Sequence, residues 1–499
     1  MNGTWFSETE RETLETPVIK RIRGALLRGR KQEALELCET LRGERILLHD
    51  FFAESCTALW TWTGGELGEK RLQDMFTSVF EQSARRQMYT LLDNDLDRGY
   101  EAFILNRDGW VAHSCSGAGE HGGAFRVEED DEKFTFVMDP CGSGGRLWRK
   151  GRYEPPDGFA LTAEAFPWSY LRQGFPYYCL HCSFLNELLP NQHMGFDNWP
   201  VDPPANPDDV CKWHLYKDKG AVPERYYERF GLRSPAGERK AAGTGERWFT
   251  EERKAEMVRP TPDRIAERLS GGRSLSALAL CITMGGEFFF LHNLYVDMLV
   301  STLDFIAREA GEERLGDALS YVFKTCVESR ILPLAGGMEH RDALAFIAEN
   351  FFKAELCGGA GMPPARFTVA EDSYGVSVVL DSCGSGGKLL RHRAYQPPGK
   401  VKKARELLEN RLVGATAKLP LPRGLMEFIL PFTFDYFSET RKPEDIGITG
   451  KAYPWSGGTR WVPYYCCFCT ALLAESGCDW LEVFPPSRRG QPCVWRARK

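Results

Sequence analysis

The chain has 499 residues, 43% hydrophobic and 26% charged, and 63 Lys and Arg against 69 Asp and Glu leave a formal charge of −6. These are globular values and exclude disorder, collagen and coiled coil as overall descriptions. The acidic balance excludes a basic nucleic-acid-binding surface as the default reading, so no nucleic-acid partner is expected.

The N-terminal segment MNGTWFSETERETLETPVIKRIRG has no apolar h-region, which argues against a secretory signal. The longest apolar stretches, LSALALCITM and GGEFFFLHNLYVDMLV, are interrupted by polar residues and read as too short to span a bilayer. The expectation is a cytoplasmic protein with no membrane partner and with its 16 cysteines reduced. In that compartment clustered cysteine points to metal or redox chemistry rather than to a disulfide framework.

Self-similarity organises the chain. CGSGG recurs at Cys141 and Cys383, and Cys115, Phe125 and Asp139 match Cys357, Phe367 and Asp381 at the same offset of 242. Earlier in the chain the offset is 243: LLHDFF around His49 matches FLHNLY around His292, Cys38 matches Cys281 and Pro17 matches Pro260. Later, FPWS at Phe166 matches YPWS at Tyr453, PYYCLHC (Pro176–Cys182) matches PYYCCFC (Pro463–Cys469), and Cys211 matches Cys493. The expected organisation is two Cys-rich modules, 17–216 and 260–499, joined by a Gly/Pro/charge-rich linker at 217–259, with an insertion near 400–447 in the second. A tandem duplication of this kind predicts a pseudo-two-fold, intramolecular pseudo-dimer.

Each module opens with an amphipathic helical pattern, with Gly64-Gly65 read as a break in the first. AFRVEEDDEKFTFVMD reads as a hairpin ending at Asp139. CSFLNELL, beginning at Cys182, reads as a short helix with the C-x2-C at its N-terminus. NWPVDPPANPDDVCKWHLYK reads as two short strands, with Cys211 in the last. Helices first and an antiparallel sheet later give the fold class α+β.

Six cysteine positions occur in both modules. Four per module are the candidate metal ligands: Cys141, Cys179, Cys182 and Cys211, and Cys383, Cys466, Cys469 and Cys493. The C-x2-C supplies two thiolates about one helical turn apart, and the Gly-rich turn offers backbone N–H groups to sulfur. Four thiolates suit Zn2+, the preferred ion, or a [4Fe–4S] cluster, one site per module. Cys38 and Cys281 sit on apolar helical faces and read as packing. Cys115 and Cys357 are balanced between packing and a fifth ligand or reactive thiol.

The candidates for catalytic chemistry are Asp139, His181 and Asp381. The aspartates are equally well read as turn acceptors. His49 and His292 read as packed, hydrogen-bonded residues rather than ligands. Arg146 and Lys388 follow the Gly turns, where an exposed charge is a simpler account than an anion holder. The FPWS and PYYC aromatics read as packing ahead of a ligand pocket. His181 becomes Phe468 in the second module, which makes the first the better candidate for activity. The GSGG turns carry neither GxGxxG nor GxxxxGK[ST], and no GxSxG or HExxH pattern appears.

The closing hairpins, DVCKWHLYK and QPCVWRARK, resemble the end of two families, 4-vinyl-reductase-like ligand-binding domains and L-2-amino-thiazoline-4-carboxylic acid hydrolase-like proteins, and the LLHDFF…GEKRL opening is similar to the latter. The resemblance covers about a third of each module. It implies an α+β small-molecule or sensory domain and no particular reaction. The expected function is a tandem tetrathiolate metal-binding protein that takes a small organic ligand, with enzymatic activity left open. The alternatives are an iron–sulfur electron-transfer or redox accessory protein, and a non-catalytic sensor or assembly module.

Overall fold

The computed structural model describes residues 4–82, 107, 109–113, 122–195, 199–234, 247–335, 337–353, 366–381, 383–394, 447–488 and 490–499. Cys115, Cys357 and the insertion up to residue 446 lie outside the described residues. The architecture is α+β, with two four-stranded antiparallel sheets beside long helices.

In chain order, α1 (Glu8–Glu15) begins at Ser7, which forms a capping box with Glu10. It is followed by α2 (Val18–Leu27), the 37-residue α3 (Lys31–Leu67) and α4 (Arg71–Val79). Strands β1 (Phe125–Glu129) and β2 (Lys133–Met138) form the expected hairpin. A Gly-rich turn leads into α5 (Gly144–Arg149). A helical run then holds the C-x2-C, comprising the 3-10 turn Tyr177–Cys179, α6 (Leu180–Ser183), a π-helical stretch Phe184–Leu188 and α7 (Leu189–Met194). Strands β3 (Val201–Asp202) and β4 (Cys211–Tyr216) close the first sheet, in the order β1-β2-β4-β3.

The second half brings α8 (Glu224–Glu228), α9 (Glu251–Met257), α10 (Thr261–Ser270), the 37-residue α11 (Ser274–Ala310) and α12 (Leu315–Val322). After these come β5 (Phe367–Glu371), β6 (Gly375–Leu380), α13 (Gly386–Ala394), α14 (Tyr464–Glu475), β7 (Leu481–Phe484) and β8 (Cys493–Arg498). This sheet has the order β5-β6-β8-β7.

The core is built on α3 and α11. Cys38, Leu41, Arg45, Leu48, Phe52, Ser55, Leu59 and Trp62 recur at alternating steps of three and four, and all are buried. The positions 243 residues later, among them Cys281, Phe288 and Tyr295, are buried too. Such a seam is what two parallel helices need to interlock side chains. Two of its contacts, Arg45 with Phe288 and Phe52 with Tyr295, join matched residues, and Trp60 reaches the residue before its match. The Arg45 guanidinium lies 4.6 Å from the Phe288 ring, Phe52 stacks on Tyr295 at 5.7 Å, and Trp60 Nε1 donates to Thr302 Oγ1 at 3.2 Å. The flanking ion pairs are reciprocal: Arg71 meets Glu309, and Arg314 meets Glu66 at 2.6 Å.

Four expectations change here. Gly64-Gly65 does not break α3, which runs to Leu67 and stops at Gly68 with φ 93°. Gly64 serves close packing instead, since a Cβ there would stand 2.7 Å from the Tyr177 ring. The two apolar stretches lie on one continuous helix, α11, long and apolar enough to cross a membrane by length and composition. Here α11 packs against α3, with His292, Asn293 and Asp297 buried along it.

The stretch 217–259 is also more than a connector. Tyr226 and Tyr227 of α8 are buried, and Arg229 donates to Val201 O at 2.9 Å. Trp248 and Phe249 donate their backbone N–H groups to the buried Glu129 carboxylate of β1, at 2.6 and 3.3 Å, and Lys217 joins them at 2.9 Å. The same arrangement recurs on the other sheet. Trp5 and Phe6 donate to Glu371 of β5, and Lys499 sits 2.8 Å away. Trp5 and Trp248 are 243 residues apart, so the matched region begins ahead of 17 and 260. Each arm lies on the sheet of the opposite half.

Candidate functional site

Three elements bring the first four cysteines together. Cys141 opens the turn after β2, and Cys211 begins β4 in register with Met138, the last residue of β2. Cys179 and Cys182 arrive on the helical run. Gly144 lets turn and helix meet, because a Cβ on it would stand 2.7 Å from Cys179 Sγ. Their ionisation reflects this crowding. Burial, then the neighbouring thiols, push Cys179, Cys211 and Cys182 above the ordinary cysteine range: Cys141 acts on Cys179, Cys141 and Cys179 on Cys211, and Cys179, Cys211 and Cys141 on Cys182.

The second half repeats the construction. Cys493 pairs in register with Leu380 at the end of β6, and Gly386 leaves no room for a side chain beside Cys466 Sγ. Burial, then Cys383, Cys493 and Cys469, push Cys466 up. Four thiols carried on three elements have the soft donor chemistry that zinc or an iron–sulfur cluster requires. Among the described residues, however, no three His, Cys, Asp or Glu side chains converge closely enough to hold a metal ion. The donor chemistry fits, and the thiols neighbour one another without closing on one point.

His181 is drawn into the first cluster. Its Nδ1 meets Tyr178 O and its Nε2 lies 3.6 Å from Cys182 Sγ. Burial, opposed by the bond to Tyr178, depresses His181 to about 4. It is therefore a neutral ring that donates to the carbonyl and accepts the Cys182 S–H. Asp139 and Asp381 lie elsewhere, exposed and paired with Arg126 at 3.2 Å and Arg366 at 3.0 Å. Arg146 and Lys388 are not exposed charges. Arg146 is buried against Asp50 at 3.0 Å, and Lys388 Nζ lies 4.3 Å from the centre of the Phe289 ring, because the helix after each Gly turn packs inward on the long helices.

Beside the first cysteine cluster stands a second group, centred on Ser143. His49 Nε2 lies 2.9 Å from Ser143 Oγ, and His113 Nδ1 lies 2.9 Å from the same oxygen. His49 Nδ1 is 3.2 Å from Asp50 Oδ1, whose other oxygen takes Arg146 at 3.0 Å and Lys150 at 2.8 Å. Tyr178 OH and Tyr295 OH are 2.6 Å apart, and both reach Ser143. Tyr295 comes from α11, so the group takes residues from both halves.

Electrostatics assign the protons. Burial alone would raise Asp50, but the hydrogen bond from His49 and the charges of Arg146 and Lys150 hold it well below the carboxylate range. Asp50 thus takes the Nδ1 proton of His49, leaving Nε2 to accept from Ser143. Burial holds His113 well below the usual histidine value, so it is neutral and donates Nδ1–H to Ser143.

Sequence reasoning missed this group. Its signal was present, since Ser143 and His49 both recur as Ser385 and His292, but nothing in a separation of 94 residues says that they touch. The second half departs from it. Asn293 stands at the Asp50 position, Phe52 occupies the place across the seam that Tyr295 holds for the first half, and Ser385 Oγ lies 3.2 Å from Cys383 Sγ.

No family model, curated protein or solved structure matches the chain.

Proposed function

We propose that the chain is a tandem duplication of one α+β unit with pseudo-two-fold symmetry, that each half carries a tetrathiolate centre, and that the protein takes a small organic ligand. Two-fold relatives make reciprocal contacts, residue i to j and j to i. The pairs Arg71–Glu309 with Arg314–Glu66, and the arms on Glu129 and Glu371, have that form. Matched contacts along α3 and α11 support an axis running with the parallel helices.

The observation that carries the metal reading is that Cys141, Cys179, Cys182 and Cys211 are electrostatic neighbours, and Cys383, Cys466, Cys469 and Cys493 likewise. Crowding buried thiols is unfavourable for bare thiolates, and a soft cation relieves it. Zn2+ is preferred, closing each set as a structural centre, and a closed four-sulfur zinc supplies no catalytic position. The polar group around Ser143 marks the first half as the place for the organic ligand. A reducing, cytoplasmic setting fits cysteines that form no disulfide among the described residues.

Metal analysis of the purified chain tests this reading. Two zinc ions per chain and no colour are expected, and Cys179→Ser should release one of them while the second half keeps its own. A brown protein carrying several iron atoms would replace zinc by the cluster. A folded chain without either metal would overturn the thiolate reading.

A further inference from the structure

We propose that Ser143 is the nucleophile of an acyl-transfer site whose substrates are small carboxylic esters or thioesters. His49 is its general base, and the Tyr178 and Tyr295 hydroxyls stabilise the oxyanion. Asp50 is a positioning residue that acts through His49. The geometry stands independently of any ion at the cysteines.

A serine hydroxyl becomes a nucleophile when a neutral imidazole takes its proton and a carboxylate holds that imidazole in the right tautomer. Ser143 Oγ to His49 Nε2 at 2.9 Å and His49 Nδ1 to Asp50 Oδ1 at 3.2 Å meet both requirements. Tyr178 and Tyr295 already reach Ser143 Oγ, so an oxygen on the carbon bonded to Oγ falls within their range. His113 is half-buried, whereas Ser143 and His49 are buried.

In the step itself, Ser143 Oγ bonds to the carbonyl carbon and its proton passes to His49 Nε2. The carbonyl electron pair moves onto oxygen, facing the tyrosines. Collapse expels the alcohol or thiol, which takes the proton from His49. Water then attacks the acyl-serine with His49 again as base, releasing the carboxylic acid and restoring Ser143.

The second half supplies an internal contrast. Asn293 replaces the carboxylate and Phe52 brings no hydroxyl, so Ser385 lacks what makes Ser143 reactive.

The test uses the full chain with p-nitrophenyl acetate and with a fluorophosphonate. A stoichiometric nitrophenolate burst and a covalent adduct on the Ser143 peptide, absent from the Ser385 peptide, are expected. Ser143→Ala and His49→Gln should lose both. Tyr295→Phe, which installs the side chain found at position 52, should slow acylation about 100-fold in a folded protein. Asp50→Asn should lower kcat with KM unchanged, which a purely structural role would not do. No adduct on the folded chain, an adduct on cysteine or Ser385, or unaltered acylation by Tyr295→Phe would overturn the proposal. Metal content measured on the same samples separates the two readings, since Ser143 acylation in a metal-free chain keeps this one and removes the thiolate one.

Discussion

Phe52 stacks on Tyr295 with 5.7 Å between ring centres, and the two residues hold the same place in two helices of equal length. Each ring also points across to the other half: Tyr295 lies edge-on to His49 at 5.8 Å, and Phe52 edge-on to His292 at 5.8 Å. One seam position therefore joins the halves and lies against the matched histidine of each. Phe52→Ala should cost about 3–5 kcal/mol, the usual penalty for removing a buried aromatic ring. A urea midpoint barely changed from the parent would contradict a seam held there.

The arms offer a separable measurement. Glu371 accepts from Trp5 and Phe6, and Glu129 from Trp248 and Phe249, each with a lysine beside it. Replacing a buried carboxylate that takes charge-assisted bonds costs about 1.5–3 kcal/mol. Glu371→Gln should expose residues 4–15 to protease while leaving 247–257 protected, and Glu129→Gln should do the reverse. Equal release of both arms by either variant would show that they are not independent.

Buried histidines set an acid limit. His181 is depressed to about 4 and His113 is lowered as well, so below the ordinary value near 6.5 the unfolded chain binds protons that the folded chain refuses. Their stabilisation is present above about pH 6.5 and is lost as pH falls toward 4. His181→Phe, the residue found at position 468, should flatten that limb of a melting-temperature profile. An unaltered limb would remove His181 from the account.

Glu44 has the opposite sign. Burial, against Lys353 and Arg45, raises it to about 7, and among the described residues its carboxylate has no hydrogen-bond partner. Between about 4.5 and 7 the folded chain keeps a proton that the unfolded chain releases, so stability from this residue falls as pH rises through that window. Glu44→Gln should stabilise the protein at pH 8 by up to about 3 kcal/mol and little at pH 4.5. Equal melting temperatures of parent and variant at pH 8 would count against it.

Gly144 is predicted to be irreplaceable at the cysteines. Gly144→Ala puts a Cβ 2.7 Å from Cys179 Sγ, and relieving that overlap costs about 1–3 kcal/mol. Thiol titration with a small reagent should then reach Cys179 sooner than in the parent. Identical reactivity would mean that the turn yields without moving the sulfur.

The local elements were readable because their signals are local. The β1–β2 hairpin shows in alternation around a polar centre, and the C-x2-C helix shows in its apolar spacing. Register gathered the cysteines: Cys211 reaches Cys141 because β4 pairs with β2 rather than only with β3, a choice no short pattern encodes. Arg146 looked like surface because its partner, Asp50, lies 96 residues away on another helix. Gly64 looked like a break because glycine signals both chain reversal and close packing, and only the neighbour Tyr177 decides between them. The arms were legible, as WFSE at Trp5 and WFTE at Trp248, but their short helices carried no chemistry to draw the eye.

The crossed arms impose an order on assembly. Glu129 meets Trp248 after 119 residues, whereas Trp5 must wait for Glu371, 366 residues farther along. A chain emerging from the ribosome can cover its first sheet with residues that already belong to the second half. Trp5 and Phe6 find their seat only when the sheet of Glu371 has formed, so a segment made before the first sheet settles after it.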